Sequence, residues 1–175
     1  MTVWDAIRNK HAVRKFLDKP LTPEDMHHIL EAGRRAPSGF NSQPWRFIVI
    51  TERDKLEKLS KIGRSTGHFA GAAMGIVFLT PTKEDVYWSD QFDSGQCAAY
   101  MQLAAHEIGI GSCPATVYHA DVAREILGFP AEWDVKVILS FGYPDPDHHP
   151  DRPPKQGQRK PFDEIIHWNG WEDKP

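Results

Sequence analysis

The chain has 175 residues, 40% of them hydrophobic and 26% charged, with a net charge of -3. That size and make-up suit one globular domain that forms its core without disulfide or metal staples. The acidic balance argues against a general nucleic-acid surface, which needs a basic face, yet permits a local cation cluster that takes one anionic ligand.

The opening residues Met1-Thr2-Val3-Trp4-Asp5 lack the basic and apolar regions of a secretory signal, so a cytoplasmic protein is expected. Thr2 caps a first helix with Val3, Trp4 and Ile7 on one face, and this helix delivers a cation cluster that begins at Lys10. Thr22-Pro23-Glu24-Asp25 combines a capping threonine, proline at the first helical position and acid in the first turn. Met26, Ile29, Leu30 and Gly33 then recur at helical spacing. Pro37 stops this helix near Ala36 and Pro44 keeps the following chain extended, leaving a loop between the two prolines.

Arg46 to Thr51 has the β-branched and aromatic content of a strand, Arg53 to Ile62 fits a short helix, and Met74 to Thr80 reads as a strand buried on both faces. The apolar run from Phe69 to Leu79 is shorter than the roughly 20 residues that cross a bilayer, so no membrane span is expected. Asp90 to Ile108 is the longest helical candidate. Ala98, Ala99, Met101, Gln102, Ala104 and Ala105 leave it little polar surface, as in a helix buried in a core or against a second subunit. Gly109 and Gly111 end it. Asp121 to Leu127, followed by Gly128, is another short helix, and Val135 to Phe141 is a third strand closing at Gly142-Tyr143-Pro144. Cys97 falls on the buried helix and Cys113 on the loop or strand after it, both as core packing residues.

From Pro144 to Pro161 the composition turns to proline, aspartate, histidine, lysine and arginine. Phe162, Ile165, Ile166, Trp168 and Trp171 follow as an apolar tail. Residues 1–175 are therefore expected to form a single domain, with 144–175 as an extended arm that docks on a partner subunit. Helices and strands alternate without regular βαβ units, which points to an α+β fold, a mixed sheet covered by helices.

Five pieces in order carry a resemblance: KHAVRKF from Lys10, APSGFNSQPWRFIVI from Ala36, MQLAAHEIGIGSCPA from Met101, SFGYP from Ser140, and GQRKPFDEIIHW from Gly157. Together they resemble the nitroreductase family of flavin enzymes, over nearly the whole chain. The resemblance implies an intertwined homodimer with exchanged C-terminal arms, binding FMN at the subunit interface. NAD(P)H would reduce the flavin, and a nitroaromatic, a quinone or another small conjugated acceptor would take the electrons in a ping-pong cycle.

It also implies the site. Lys10, His11 and Ala12 match an R-[RH]-S motif on the phosphate and ribityl chain, with Lys10 in place of arginine and Ala12 in place of serine. Arg14 is expected near the pyrimidine edge of the flavin, where a positive charge steadies the anion formed on reduction. Arg159 and Lys160 add charge for the phosphate, since guanidinium forks suit phosphate oxygens. Pro37, Ser38, Gly39 and Asn41 would reach the flavin held mainly by the other subunit. Pro114 and Ala115, in the segment Cys113 to Thr116, lie against the N5 side, and His68 stands near an amide that touches the flavin in relatives. Phe40, Trp88 and Tyr118 are candidate substrate-contacting aromatics.

Taken singly, these pieces are ordinary surface features, and only their order carries the reading. Three other readings stay open: a specialised branch performing reductive dehalogenation or flavin fragmentation, a non-catalytic flavin-binding module, and a purely structural dimer. No metal site is expected. His106-Glu107 lacks a second ligand one turn on, and the pairs His27-His28 and His148-His149 diverge. Gly109-Ile110-Gly111 leaves a helix instead of opening one, so no separate nicotinamide domain is expected.

Overall fold

The computed structural model describes residues 1–82, 88–148 and 159–171, apart from the side chains of Trp88 and Ser89. The chain divides into two compact units, Met1–Asp145 and Pro146–Pro175.

In the first unit, α1 (Val3–Asn9) and α2 (Pro23–Arg34) both begin as the sequence predicts. Thr2 and Thr22 each accept from the backbone N–H three residues on, at 3.1 Å, while Asp5 and Asp25 reach back to the capping N–H. Four strands follow: β1 (Arg46–Ile50), β2 (Met74–Pro81), β3 (Gly111–Thr116) and β4 (Trp133–Gly142). Between them lie α3 (Arg53–Leu59), α4 (Trp88–Glu107) and α5 (Ala120–Leu127), which stops at Gly128 with φ 72°. The 111–116 segment, open between loop and strand in the sequence, is a strand.

The sheet order is β1-β2-β4-β3 and all three pairings are antiparallel. A parallel contact comes from the N-terminal segment, where Ala12 bridges Ser112. β2 is central, and its side chains alternate between two cores because successive residues point to opposite faces. Met74, Ile76 and Phe78 meet Ile29, Cys97 and Met101 on one side. Val77 and Leu79 meet Leu56, Leu59, Phe69 and Ala123 on the other. This is why Met74 to Leu79 is buried throughout, as its unbroken apolar run requires.

A 3-10 turn over Thr66–Gly71 was not legible from periodicity. Thr66 builds it locally: its buried hydroxyl lies 2.8 Å from both the Ser60 and Gly63 carbonyls, which share its one proton, and accepts from the Gly63 N–H.

The apolar face of α1 does not turn inward. Ala6 is its buried residue, while Val3, Trp4 and Ile7 are exposed, as are Phe92 and Tyr100 on α4.

Among the described residues of the second unit one helical turn, α6 (Phe162–Ile165), forms, with Lys160 paired to Glu164 at 2.6 Å and His167 stacked on Trp171 at 4.1 Å.

Candidate functional site

The residues after α1 do not form a free surface turn. They run as a strap along the outer end of the sheet: the Val13 N–H donates to the Ser112 carbonyl at 3.0 Å, Leu17 to Tyr143 at 2.9 Å, and Asp145 to Lys15 at 3.2 Å. Two glycines let the strap lie this close. A Cβ on Gly111 would fall 2.7 Å from the Val13 Cβ, and one on Gly142 would fall 2.9 Å from the Phe16 ring. The Tyr143 hydroxyl donates to Asp25 at 2.7 Å, tying the far end of the strap to α2.

The strap sets out the expected cations in different environments. Arg14, His11 and Ala12 are exposed, whereas Lys10 is half-buried. The Lys10 ammonium donates to Gln102 Oε1 on α4, and burial holds it below its ordinary pKa. Lys10, His11, His106 and Ser112 line a pocket of about 190 Å³.

A buried polar group forms around His68, the residue expected near the flavin. His68 is 9% exposed and its Nδ1 lies 2.7 Å from Ser140 Oγ on β4. The Ser140 hydroxyl donates to the Cys113 carbonyl at 3.4 Å. Burial first, and the charge of Arg14 second, push His68 down to about 4, so its ring is neutral at pH 7. Its Nε2 is buried without a partner among the described residues. Burial raises the Cys113 thiol, with Arg14 and Lys10 acting against it. Arg14 therefore lies within electrostatic reach of both β3 and the 3-10 turn.

β3 is an edge strand, and alternation decides which of its backbone groups stay open. The Ser112 carbonyl turns outward to Val13, while the Val117 N–H turns inward to Lys136 at 2.9 Å. Residues 112, 114 and 116 thus present their backbone to the open edge, and 113 and 115 present theirs to β4. Pro114 has no N–H, so Thr116, at the end of the expected segment, supplies its outward donor. Thr116 and Pro114 are both exposed.

The proline loop sits elsewhere on the same chain. The Gly39 N–H donates to Asp93 Oδ2 on α4 at 2.8 Å, and the Gln43 N–H donates to Ser38 Oγ at 2.9 Å. Phe40, Asn41 and Gln43 are held at φ 51°, 56° and 48°, a left-handed conformation uncommon for residues with side chains. The Phe40 ring is fully exposed. Asp93 and Gln102 stand nine residues apart on α4, about two and a half turns, and so face opposite sides of the helix. The loop and the cation cluster of one chain consequently do not converge.

Tyr118 is exposed, with the Arg64 guanidinium 5.8 Å from its ring centre. The Trp88 side chain lies outside the described residues. Arg159 and Lys160 belong to the second unit, where Lys160 pairs with Glu164. Asp93, Gln102 and Ser140 escaped sequence reasoning; Gln102 and Ser140 carry one signal, a polar residue set in an apolar stretch, while Asp93 lies among the polar residues of the first half of α4 and carries none.

The loop's anchorage is open to a direct check. Asp93→Ala removes a charge-assisted bond worth about 1.5–3 kcal/mol, so amide hydrogen exchange at residues 39–43 should speed up about 10- to 150-fold. Exchange in β2 and β4 should stay unchanged.

A family model described as the Nitroreductase family matches residues 7–67 and 64–143. A relative from Archaeoglobus fulgidus, provisionally named an NADH dehydrogenase/NAD(P)H nitroreductase, is 33% identical over 144 residues, spanning 79% of this chain and 83% of the relative. The solved FMN-dependent nitroreductase of Clostridium difficile R20291 is 26% identical, with a TM-score of 0.82 over 96% of this chain and 99% of that one. A provisionally named nitroreductase from Desulfovibrio desulfuricans, solved in complex with FMN, is likewise 26% identical, with a TM-score of 0.78 over 98% and 99% of the two chains.

Proposed function

This chain belongs to the nitroreductase family, and from that premise we propose that it is a cytoplasmic, homodimeric oxidoreductase that binds FMN between its two copies. It takes electrons from NAD(P)H and passes them to a nitroaromatic, a quinone or a similar conjugated acceptor, each reactant occupying the same position in turn.

The observation that carries this reading is the split of the site over α4. The strap with Arg14 and the loop with Gly39 and Asn41 face opposite sides of one helix, so a second copy must bring its loop to the first copy's strap. The exposed apolar side chains of α1 and α4 give that second copy a surface to cover. The pocket beside Lys10 and His11, at about 190 Å³, has room for a phosphate, whereas whole ligands occupy roughly 300–1,000 Å³. A one-turn helix cannot bury Phe162, Trp168 and Trp171 by itself, which supports an arm that crosses to the partner with Arg159 and Lys160.

The residues suit FMN. An exposed guanidinium stands within electrostatic reach of a buried imidazole nitrogen that has no partner among the described residues, and the neighbouring edge strand offers an outward N–H. FMN, when bound, supplies the acceptor and donor of hydride. Arg14 would face the pyrimidine edge, the Thr116 N–H would donate to the N5 edge, and Lys10 and His11 would hold the phosphate. Pro114 and Ala115 shape the platform, while Pro37, Ser38, Gly39 and Asn41 of the partner's loop would close over the ring. Phe40 and Tyr118 would meet the acceptor. Lys10 is shared with Gln102, so the phosphate draws more on the other cations than it would with a free arginine at this position.

The test is the absorption spectrum of the purified chain, the identity of any released chromophore and the mass in solution. The expected result is a yellow dimer whose colour bleaches anaerobically with NADH or NADPH and returns with a quinone. A colourless monomer that ignores added FMN would refute the reading, and a yellow protein that neither nicotinamide bleaches would leave a flavin carrier without turnover.

A further inference from the structure

We propose that His68 is the proton-accepting residue of this site, taking up one proton from solvent when the bound ring is reduced by two electrons. This rests on the FMN reading above and extends it to a residue of this chain's own.

The geometry begins at Ser140. Its hydroxyl donates to the Cys113 carbonyl, so its oxygen accepts from His68 Nδ1, which must then carry the ring proton. The other nitrogen, Nε2, is left with a bare lone pair. It is buried and meets no donor among the described residues, a condition that costs about 1–3 kcal/mol and asks for an explanation in a native core. A group that is both short of a donor and able to accept a proton is suited to a charge that appears only during turnover.

The surroundings fix when the proton arrives. Around His68 stand Arg14 from the strap, Ser140 from β4, the Cys113 thiol of β3 beyond it with Lys10 alongside, and the Phe69 ring at 5.6 Å. The charge facing His68 is positive, so with the ring oxidised the imidazole stays neutral. Hydride transfer from NAD(P)H delivers two electrons and one proton, leaving NAD(P)+ and one negative charge on the ring. That charge offsets Arg14, and His68 Nε2 takes a proton from water. In balance, NAD(P)H, oxidised FMN, neutral His68 and one solvent proton give NAD(P)+, the singly protonated reduced anion of FMN, and His68 as its imidazolium cation. The buried ion pair so formed makes reduction easier as pH falls.

The experiment compares FMN-loaded wild type with His68→Gln, whose amide cannot titrate. Reduction potentials are read by dye equilibration from about pH 7 to 8. Each additional proton per two electrons steepens the dependence by about 30 mV per pH unit, a tenfold change in the equilibrium constant. Wild type should therefore be steeper than His68→Gln by that amount. The His68 ring NMR signals should titrate at about 4 in FMN-free protein, and above pH 8 in the reduced complex, a rise of roughly ten-thousandfold or more in proton affinity. Equal slopes, with His68 still neutral after reduction, would overturn the proposal while leaving FMN binding intact. If His68→Gln fails to fold, the wild-type NMR titration decides alone. A chain that binds no FMN overturns both readings, and the absence of flavin absorption identifies that case.

Discussion

Arg14→Ala is expected to weaken FMN binding about 10- to 150-fold, the equivalent of the ~1.5–3 kcal/mol carried by a hydrogen bond to a charged group. Arg14 is exposed on the strap and contributes to neither core, so the fold should hold and the loss should appear in a flavin-fluorescence titration. Arg14→Lys should restore part of it, because the charge returns and the planar fork does not. A readout independent of flavin exists in the same variant. Arg14 is the second cause of the depressed His68 pKa, so its removal should let His68 titrate above its value of about 4 in the FMN-free protein. The shift should be partial, since burial is the larger cause. Unchanged flavin binding would remove Arg14 from the site, and an unmoved His68 would remove the coupling between strap and turn.

Gly111→Val should separate the strap from the sheet. A Cβ at this position would come within 2.8 Å of both Val13 methyl carbons, and neither residue can yield by simple rotation of a long side chain. Overpacking of this kind costs about 1–3 kcal/mol, or roughly 2–12 °C in Tm. The effect on cofactor binding should exceed the effect on folding, because residues 10–14 ride on this contact while the two cores do not. The expected result is a folded protein by circular dichroism that holds FMN at least tenfold more weakly. Val13→Gly added to Gly111→Val should recover part of the binding by removing the Cβ and both methyl groups in conflict. Failure of that rescue would mean that Gly111 serves the strand and not the strap.

Much of this molecule was legible in its residues, for a physical reason that holds element by element. The helix starts at Thr2 and Thr22 depend on capping side chains three residues from their partners, and β2 depends on an apolar run that either face can bury. The loop between Pro37 and Pro44 depends on what proline forbids. Each is a local rule, and the structure follows each within a residue or two. The family likeness was legible as well, because it rests on ordered short motifs.

The arrangement of the site was not local. His68 reads as a loop histidine until the fold lays Ser140 under it, and Lys10 reads as a free cation until α4 brings Gln102 to it. That the Thr116 N–H, and not Ala115's, faces outward follows from which edge of β3 the strap occupies. What the residues determined by themselves was the set of elements and the family, through short-range capping, periodicity and proline geometry. Tertiary structure alone decided which polar groups are buried, which backbone donors stay open and which half-sites face apart, because those depend on contacts tens of residues distant in the chain.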